Sequence, residues 1–283
     1  MRLLCAMFLV IASAMVAPAV DAQTASWQVL TSAEVQLDSP MSIAVDADGH
    51  IYVADTGHNR VVQLSADSAM LTSWSGESIG GLAQPQGVAT GPDSTVWVSD
   101  TGNDRIVRLA ASGAVLTQFG EPGTGSGQFR DPNGLAVDEQ GNVFVADTLN
   151  HRIQKLAADG SPLAAWGNVE GGPHQDAYET SRGRGIGEFR YPTGLALDDH
   201  GYLLVADTDN FRVVRLLASS GEYVDQWIDL CGVTRIKHAP GSFLSPRGVA
   251  VGPVGSVYVA DTFTHWIQRM STSGEPLASG ASN

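Results

Sequence analysis

Short apolar runs recur along the chain, and within each run both alternating faces are apolar. In an extended strand, Ile51 and Val53 would point to one side, and Tyr52 and Ala54 to the other. The same alternation recurs in the runs 96–99 and 257–260. A strand with two apolar faces must be covered on both sides. The pattern therefore predicts short strands packed between neighbouring sheets.

These runs belong to a segment that occurs five times: HIYVADTGHNRVVQL, TVWVSDTGNDRIVRL, NVFVADTLNHRIQKL, YLLVADTDNFRVVRL and SVYVADTFTHWIQRM. Each copy carries an aspartate followed by threonine, and the aspartates are spaced by 45, 47, 60 and 54 residues. A period of this length is typical of a four-stranded propeller blade and not of a helical repeat.

The other strands of each predicted blade have their own markers. A proline precedes a short apolar strand and a tight turn, such as Asp46–Gly49, which favours a hairpin. In the first four copies, a later strand ends in an aromatic residue (Trp74, Phe119, Trp166, Trp227). We therefore predict an all-β propeller with blades at about 40–76, 85–120, 132–167, 192–228 and 246–280.

An arginine follows the repeated aspartate by five positions in the first four copies, and Trp266 replaces it in the fifth. A partly buried Asp–Arg ion pair that repeats around a ring favours a structural role, because an active site requires asymmetry. The predicted structural residues are Asp55, Arg60, Asp100, Arg105, Asp147, Arg152, Asp207, Arg212 and Asp261.

The pattern P-x-G-[VL]-A-[VL]-D-x-x-G-[NH]-[IV]-[YF]-V-A-D-T-x-N-x-R-[IV] resembles the NHL repeat, and the likeness extends from Pro40 to Met270. The resemblance implies a β-propeller whose faces bind proteins, peptides or, in some members, RNA. RNA-binding members use a basic face, whereas this chain has a formal net charge of −14. Such a charge repels nucleic acids and anionic lipids, and it suits basic peptides or cations.

The fifth copy of the repeated segment bears on the number of blades and on how the ring closes. Its last strand has Gly280 where the others have an aromatic residue. Trp27 lies 13 residues before Pro40, as Phe119 lies 13 residues before Pro132. We therefore predict that a strand at 26–31 completes the last blade and closes a five-bladed ring. The alternative is a truncated six-bladed propeller.

The first residues are typical of a secretory signal. Arg2 precedes an apolar run from Leu3 to Ala17, and small residues lead to a cleavage site after Ala22. The run of 15 residues is shorter than the roughly 20 that span a bilayer, which disfavours the alternative of an uncleaved anchor. We expect residues 1–22 to be removed and the propeller of residues 23–283 to be secreted, extracellular or periplasmic in a bacterium, without membrane insertion.

The mature chain would keep a single cysteine, Cys231, so a disulfide within one chain is excluded. We expect Cys231 to be buried; the alternative is a free thiol that pairs between molecules. The protein is expected to be a monomer.

Two long connections between blades, at 168–190 and 228–245, are the predicted ligand-binding region, because long loops on a rigid scaffold commonly carry function. We expect a non-catalytic scaffold that binds a protein or peptide without a cofactor. The candidate ligand-binding residues are His174, Asp176, Tyr178, Arg182, Arg184, Arg235, Lys237 and His238.

A metal-dependent enzyme is the alternative function. His58, His151 and His265 all follow the repeated aspartate and are weak candidates for zinc ligands, although no metal-binding motif supports them. The fold also resembles the peptidyl-hydroxyglycine amidating lyases, which use zinc, and the lactonases, which hold calcium. Asp46, Asp138 and Asp198 recur regularly, which indicates turn residues and not calcium ligands.

Overall fold

The chain forms a five-bladed, all-β propeller, as the sequence predicts. A computed structural model describes residues 35–76, 80–167, 185–228, 240–252 and 255–277. Four blades are antiparallel sheets of four strands, and the fifth has three described strands. Within every blade the strands pair in the order in which they occur along the chain.

Each blade runs outward from its first strand. The strands are β1 (Pro40–Val45), β2 (Ile51–Asp55), β3 (Arg60–Leu64), β4 (Met70–Ser75), β5 (Gly87–Thr90), β6 (Val96–Asp100), β7 (Arg105–Leu109), β8 (Val115–Phe119), β9 (Pro132–Val137), β10 (Val143–Asp147), β11 (Arg152–Leu156), β12 (Pro162–Gly167), β13 (Pro192–Leu197), β14 (Tyr202–Asp207), β15 (Arg212–Leu217), β16 (Tyr223–Ile228), β17 (Pro246–Val251), β18 (Val257–Asp261) and β19 (Trp266–Met270).

The core is a series of apolar layers between consecutive blades. One face of β2, with Tyr52 and Ala54, packs against Val96 and Val98 of the second blade. The same arrangement joins blades 2 and 3, blades 3 and 4, and blades 4 and 5. Every residue of β2, β6 and β10 is buried. The two apolar faces of these strands are thus explained by burial between two neighbouring sheets.

The first strands of consecutive blades pack side by side from β1 to β17. Glycine is required where they approach most closely, since a Cβ at Gly134 would overlap the backbone oxygen of Thr193, and one at Gly194 that of Arg247. The repeated threonine supplies a hydrogen bond between blades. Its hydroxyl donates to the carbonyl oxygen of the proline that begins the next blade, for the pairs Thr56–Pro85, Thr101–Pro132, Thr148–Pro192 and Thr208–Pro246.

The predicted signal peptide at 1–22 and the predicted closing strand at 26–31 lie outside the described residues. At the outer edge of β19, Pro276 bridges to Met270, and the backbone N–H of Leu277 donates to the carbonyl oxygen of Arg269 at 2.8 Å. Among the described residues, no helix has the length and hydropathy needed to cross a membrane.

Candidate functional site

The repeated aspartate joins each blade to the segment that leads into it. We use the term crossing segment for the connection between the last strand of one blade and the first strand of the next. In all five blades a carboxylate oxygen accepts a hydrogen bond from the backbone N–H 17 residues earlier, which lies in the crossing segment or, for blade 1, just before β1; the donors are Asp38, Ala83, Arg130, Arg190 and Leu244. The backbone donors to the repeated aspartate therefore precede their own blade along the chain.

The predicted Asp–Arg pairs form in the first four blades. The arginine Nε donates to the aspartate Oδ2 at 2.6 to 2.7 Å in each. The Nη2 of the same arginine donates to crossing-segment carbonyls, so that Arg152 reaches Gly125 at 2.7 Å and Gln128 at 2.9 Å. Blade 5 lacks the arginine, and Asp261 instead accepts the backbone N–H groups of both Leu244 and Ser245. All of these contacts have a structural role, because they hold each blade to the segment that precedes it.

Burial controls the protonation of these carboxyl groups. It raises the pKa of Asp147 despite the hydrogen bonds from Asn150, Arg130 and Arg152. It raises the pKa of Asp207 to about 6 despite the favourable charge of Arg212. Because both groups are enclosed by their own blade and crossing segment, neither is placed to meet a ligand.

The three candidate zinc histidines occupy separate turns with different roles. His58 Nδ1 lies 2.9 Å from Asp55 Oδ2, and His151 Nδ1 accepts the backbone N–H of Tyr191 at 3.1 Å. His151 also packs edge-on against the Tyr191 ring, whereas His265 is exposed. Across the described ranges, these histidines do not belong to any group of three close metal-ligating side chains.

One such group does occur in the β1–β2 turn, where Asp46, Asp48 and His50 bring their ligand atoms within 4.8 Å of one another. The oxygens of Asp46 already accept hydrogen bonds from the backbone of Asp48 and His50 and from the Tyr52 hydroxyl. Asp138 and Asp198 accept backbone N–H groups in the corresponding turns. These hydrogen bonds stabilise the turns, which is the role that the sequence indicates for the three aspartates.

The predicted ligand-binding residues of the long crossing segments all lie outside the described residues. The first segment leaves β12 at Gly167 and is described again from Gly185; the second leaves β16 at Ile228 and is described again from Pro240. The residues concerned are His174, Asp176, Tyr178, Arg182, Arg184, Arg235, Lys237 and His238, together with Cys231.

A cleft opens between blades 2 and 3, on the face where the crossing segments and the turns after the repeated aspartates lie. It has a volume of about 750 Å³, and Asp104, Asp131, Thr124 and Leu149 are among its lining residues. The two aspartates meet because the backbone N–H of Asp131 donates to Asp104 Oδ1 at 2.7 Å. Partial burial, together with repulsion from Asp104, raises the pKa of Asp131.

Sequence reasoning missed this carboxylate pair, although a signal was present. In two other blades, the residue that ends the turn in the left-handed conformation accepts the backbone N–H of the residue before the next proline: Asn59 from Gln84, and His151 from Tyr191. At the junction of blades 2 and 3, both of these positions are acidic. The cleft is therefore a place where a cationic group would meet two carboxylates.

Comparison with known proteins supports the repeat and the fold. The NHL repeat model matches residues 37–64, 129–156, 189–216 and 243–270. No curated protein matches the chain by sequence.

Similar solved structures include enzymes and a protein complex. A gluconolactonase from Xanthomonas campestris is 17% identical, with 86% of this chain and 75% of that chain covered and a TM-score of 0.61. A chain of a nidogen/laminin complex is 18% identical, with 84% and 78% covered and a TM-score of 0.60. Virginiamycin B lyase from Staphylococcus aureus is 18% identical, with 84% and 68% covered and a TM-score of 0.58. At these identities the likeness is one of fold.

Proposed function

This chain belongs to the NHL-repeat β-propellers, and from that premise we propose that it is a secreted, non-catalytic scaffold that binds a protein or peptide ligand. The ligand is held on the face that carries the crossing segments. The described part of this face is built from hydrogen-bonded turns and buried ion pairs, which give a rigid platform. Rigid platforms lower the entropic cost of binding a flexible peptide.

The observation that carries this proposal is the cleft between blades 2 and 3. Asp104 and Asp131 present two carboxylates at one edge of this open cleft, whose volume of about 750 Å³ can accommodate an amino-acid side chain. A lysine or arginine side chain fits this chemistry, because its N–H donors form charge-assisted hydrogen bonds to carboxylates. The formal net charge of −14 would attract a basic ligand from a distance.

The long crossing segments on either side of blade 4 extend the proposed binding face. Their basic residues, such as Arg182 and Arg235, would contact acidic groups or the terminal carboxylate of the ligand. Secretion rests on the amino-terminal signal at 1–22, and we propose that the mature protein acts as a monomer.

A titration with a tetralysine amide peptide, followed by calorimetry, tests the role of the cleft. Asp131→Asn should weaken binding roughly tenfold, as expected for the loss of a hydrogen bond to a charged group. Asp93→Asn is the matched control, because it removes one exposed carboxylate from a turn outside the cleft. Binding should also weaken as the pH falls through the raised pKa of Asp131, since only the ionised carboxylate attracts a cation.

Equal weakening by both substitutions would contradict the cleft assignment, because attraction by the net charge alone would then account for the binding.

The role of the crossing segments has a separate test. Deletion of 168–190 should abolish the recovery of a partner from the secreted fraction, and unchanged recovery would refute that role.

The alternative is a metal-dependent propeller enzyme of the amidating-lyase or lactonase type, with zinc or calcium as its cofactor. The basis of this alternative is that proteins of similar fold include a lyase and a gluconolactonase. Metal analysis of the purified protein decides between the two functions. Stoichiometric zinc or calcium would favour the enzyme, whereas its absence would overturn this alternative.

A further inference from the structure

The cleft between blades 2 and 3 carries a positive charge beside its two carboxylates. Arg130 lines this cleft next to Asp131, and its side chain is exposed. Its backbone N–H donates to Asp147, as in the other blades. Among the residues that the structure describes, no hydrogen-bond or ion-pair partner is found for its guanidinium group. The cleft therefore offers both signs of charge to a ligand.

The corresponding arginine of blade 4 has a partner, which shows what blade 3 lacks. The two positions are equivalent in the backbone, since the N–H of Leu149 donates to the carbonyl oxygen of Arg130 at 3.1 Å and that of Asp209 donates to Arg190 at 3.1 Å. In blade 4, Arg190 Nε lies 3.7 Å from Asp209 Oδ2. In blade 3, the residue at the place of this aspartate is Leu149. The leucine leaves the Arg130 guanidinium free to bind a carboxylate from another molecule.

The same leucine gives the cleft an apolar wall. Leu149 is 38% exposed, and it lines the cleft together with Pro122. The methylene groups of a lysine or arginine side chain pack on apolar surface of this kind while the charged end stays among polar groups. Carboxylates, apolar wall and arginine thus match the three parts of a basic residue that has its own free carboxylate: the side-chain cation, the methylene stem and the α-carboxylate.

We propose that the ligand of this cleft is a peptide that ends in lysine or arginine. The inference rests on the proposed function, which places a basic side chain at Asp104 and Asp131. The terminal α-carboxylate accepts charge-assisted hydrogen bonds from Arg130, whose planar guanidinium group suits two-pronged contact with a carboxylate. A lysine or arginine within a chain has no α-carboxylate to offer, so the cleft selects the end of a peptide.

Calorimetry of the purified protein at low ionic strength, with two matched peptides, tests this inference. One peptide is acetyl-Gly-Gly-Gly-Lys with a free carboxylate, and the other is the same peptide with a carboxy-terminal amide. The amide carries the larger positive charge, so attraction to the net charge of −14 alone would favour the amide. The proposal expects the reverse order. The free carboxylate should bind about tenfold more tightly, as expected for hydrogen bonds between charged groups.

Two variants remove this preference by different routes. Arg130→Gln should abolish it without weakening the binding of the amide peptide. Leu149→Asp recreates the arrangement of blade 4, in which the arginine is paired. It should weaken the binding of the free carboxylate about tenfold, and the amide peptide should bind no less tightly than before. Arg269→Gln is the matched control, because it removes an exposed arginine of blade 5 from outside the cleft, and the preference should persist.

Equal affinities of the two peptides for the parent protein, or tighter binding of the amide, would overturn the inference. An equal loss of the preference in Arg130→Gln and Arg269→Gln would also overturn it, because the total charge would then be the cause. Tetralysine amide separates this failure from failure of the proposed function. If it binds in a manner that depends on Asp131, only the role of the terminal carboxylate is wrong. If neither tetralysine amide nor the matched peptides bind, the proposed function and this inference fail together.

Discussion

Arg152→Ala gives a direct test of the energetic role of the Asp–Arg pairs. Arg152 is the donor in the enclosed pair of blade 3, where Asp147 is fully buried and the arginine side chain is 6% exposed. The substitution removes the 2.7 Å bond to Asp147 and the two bonds to the crossing carbonyls of Gly125 and Gln128. It leaves a buried carboxylate without its cation.

Removal of one partner from a buried ion pair costs about 3–5 kcal/mol. The lower end applies here, because Asp147 keeps hydrogen bonds from Arg130, Asn150 and Gln154. We therefore expect the free energy of unfolding to fall by about 3 kcal/mol, which corresponds to a decrease in Tm of roughly 6–12 °C for a domain of this size. Urea and thermal unfolding, followed by tryptophan fluorescence, measure both quantities.

Arg130→Ala is the matched control in the same crossing segment. Its contact with Asp147 comes from the backbone N–H, which the substitution keeps, and its side chain is exposed. This control should change stability by less than about 0.5 kcal/mol. In an Asp147→Asn background, Arg152→Ala should cost less, because the buried charge is gone. A loss below about 1 kcal/mol for Arg152→Ala alone would refute the reasoning.

Two further predictions concern the blades. Because the pKa of Asp207 is raised from 3.8 to about 6 in the folded protein, its favourable contribution is complete only below the unfolded pKa of 3.8 and is lost as the pH rises through 6. Relative to Asp207→Asn, the parent should thus lose on the order of 3 kcal/mol of unfolding free energy between about pH 3 and pH 7, and parallel profiles would contradict this. Gly134→Ala should destabilise by at least about 2 kcal/mol, since its Cβ would overlap the backbone of Thr193. Gly248→Ala is the control, because its Cβ meets only the Ala260 side chain at 3.4 Å; similar unfolding midpoints for the two variants would oppose the packing argument.

Much of the fold could be predicted from the sequence because its signals are local. The alternation in β2, the turns after β1 and the five-residue separation of Asp55 and Arg60 each depend on residues close along the chain. Such contacts follow from strand and hairpin geometry alone. Repetition of these signals then gives the number of blades.

The candidate site was harder to predict. Asp104 and Asp131 are 27 residues apart and belong to different blades, so their hydrogen bond depends on how two neighbouring sheets meet. The three weak candidates for zinc ligands, His58, His151 and His265, lie apart for the same reason. Each histidine occupies its own blade, and the ring geometry separates the turns that look alike in sequence.

The sequence by itself determined the strands, the five blades and the Asp–Arg pairs, because each is encoded within one repeat. Only the tertiary structure decided what lies between repeats: the donors from the crossing segments and the acidic cleft between blades 2 and 3. The physical reason is that contacts between blades depend on the packing of whole sheets around a common axis. The sequence of one repeat describes one blade, and it carries no information about which neighbouring sheet packs against that blade.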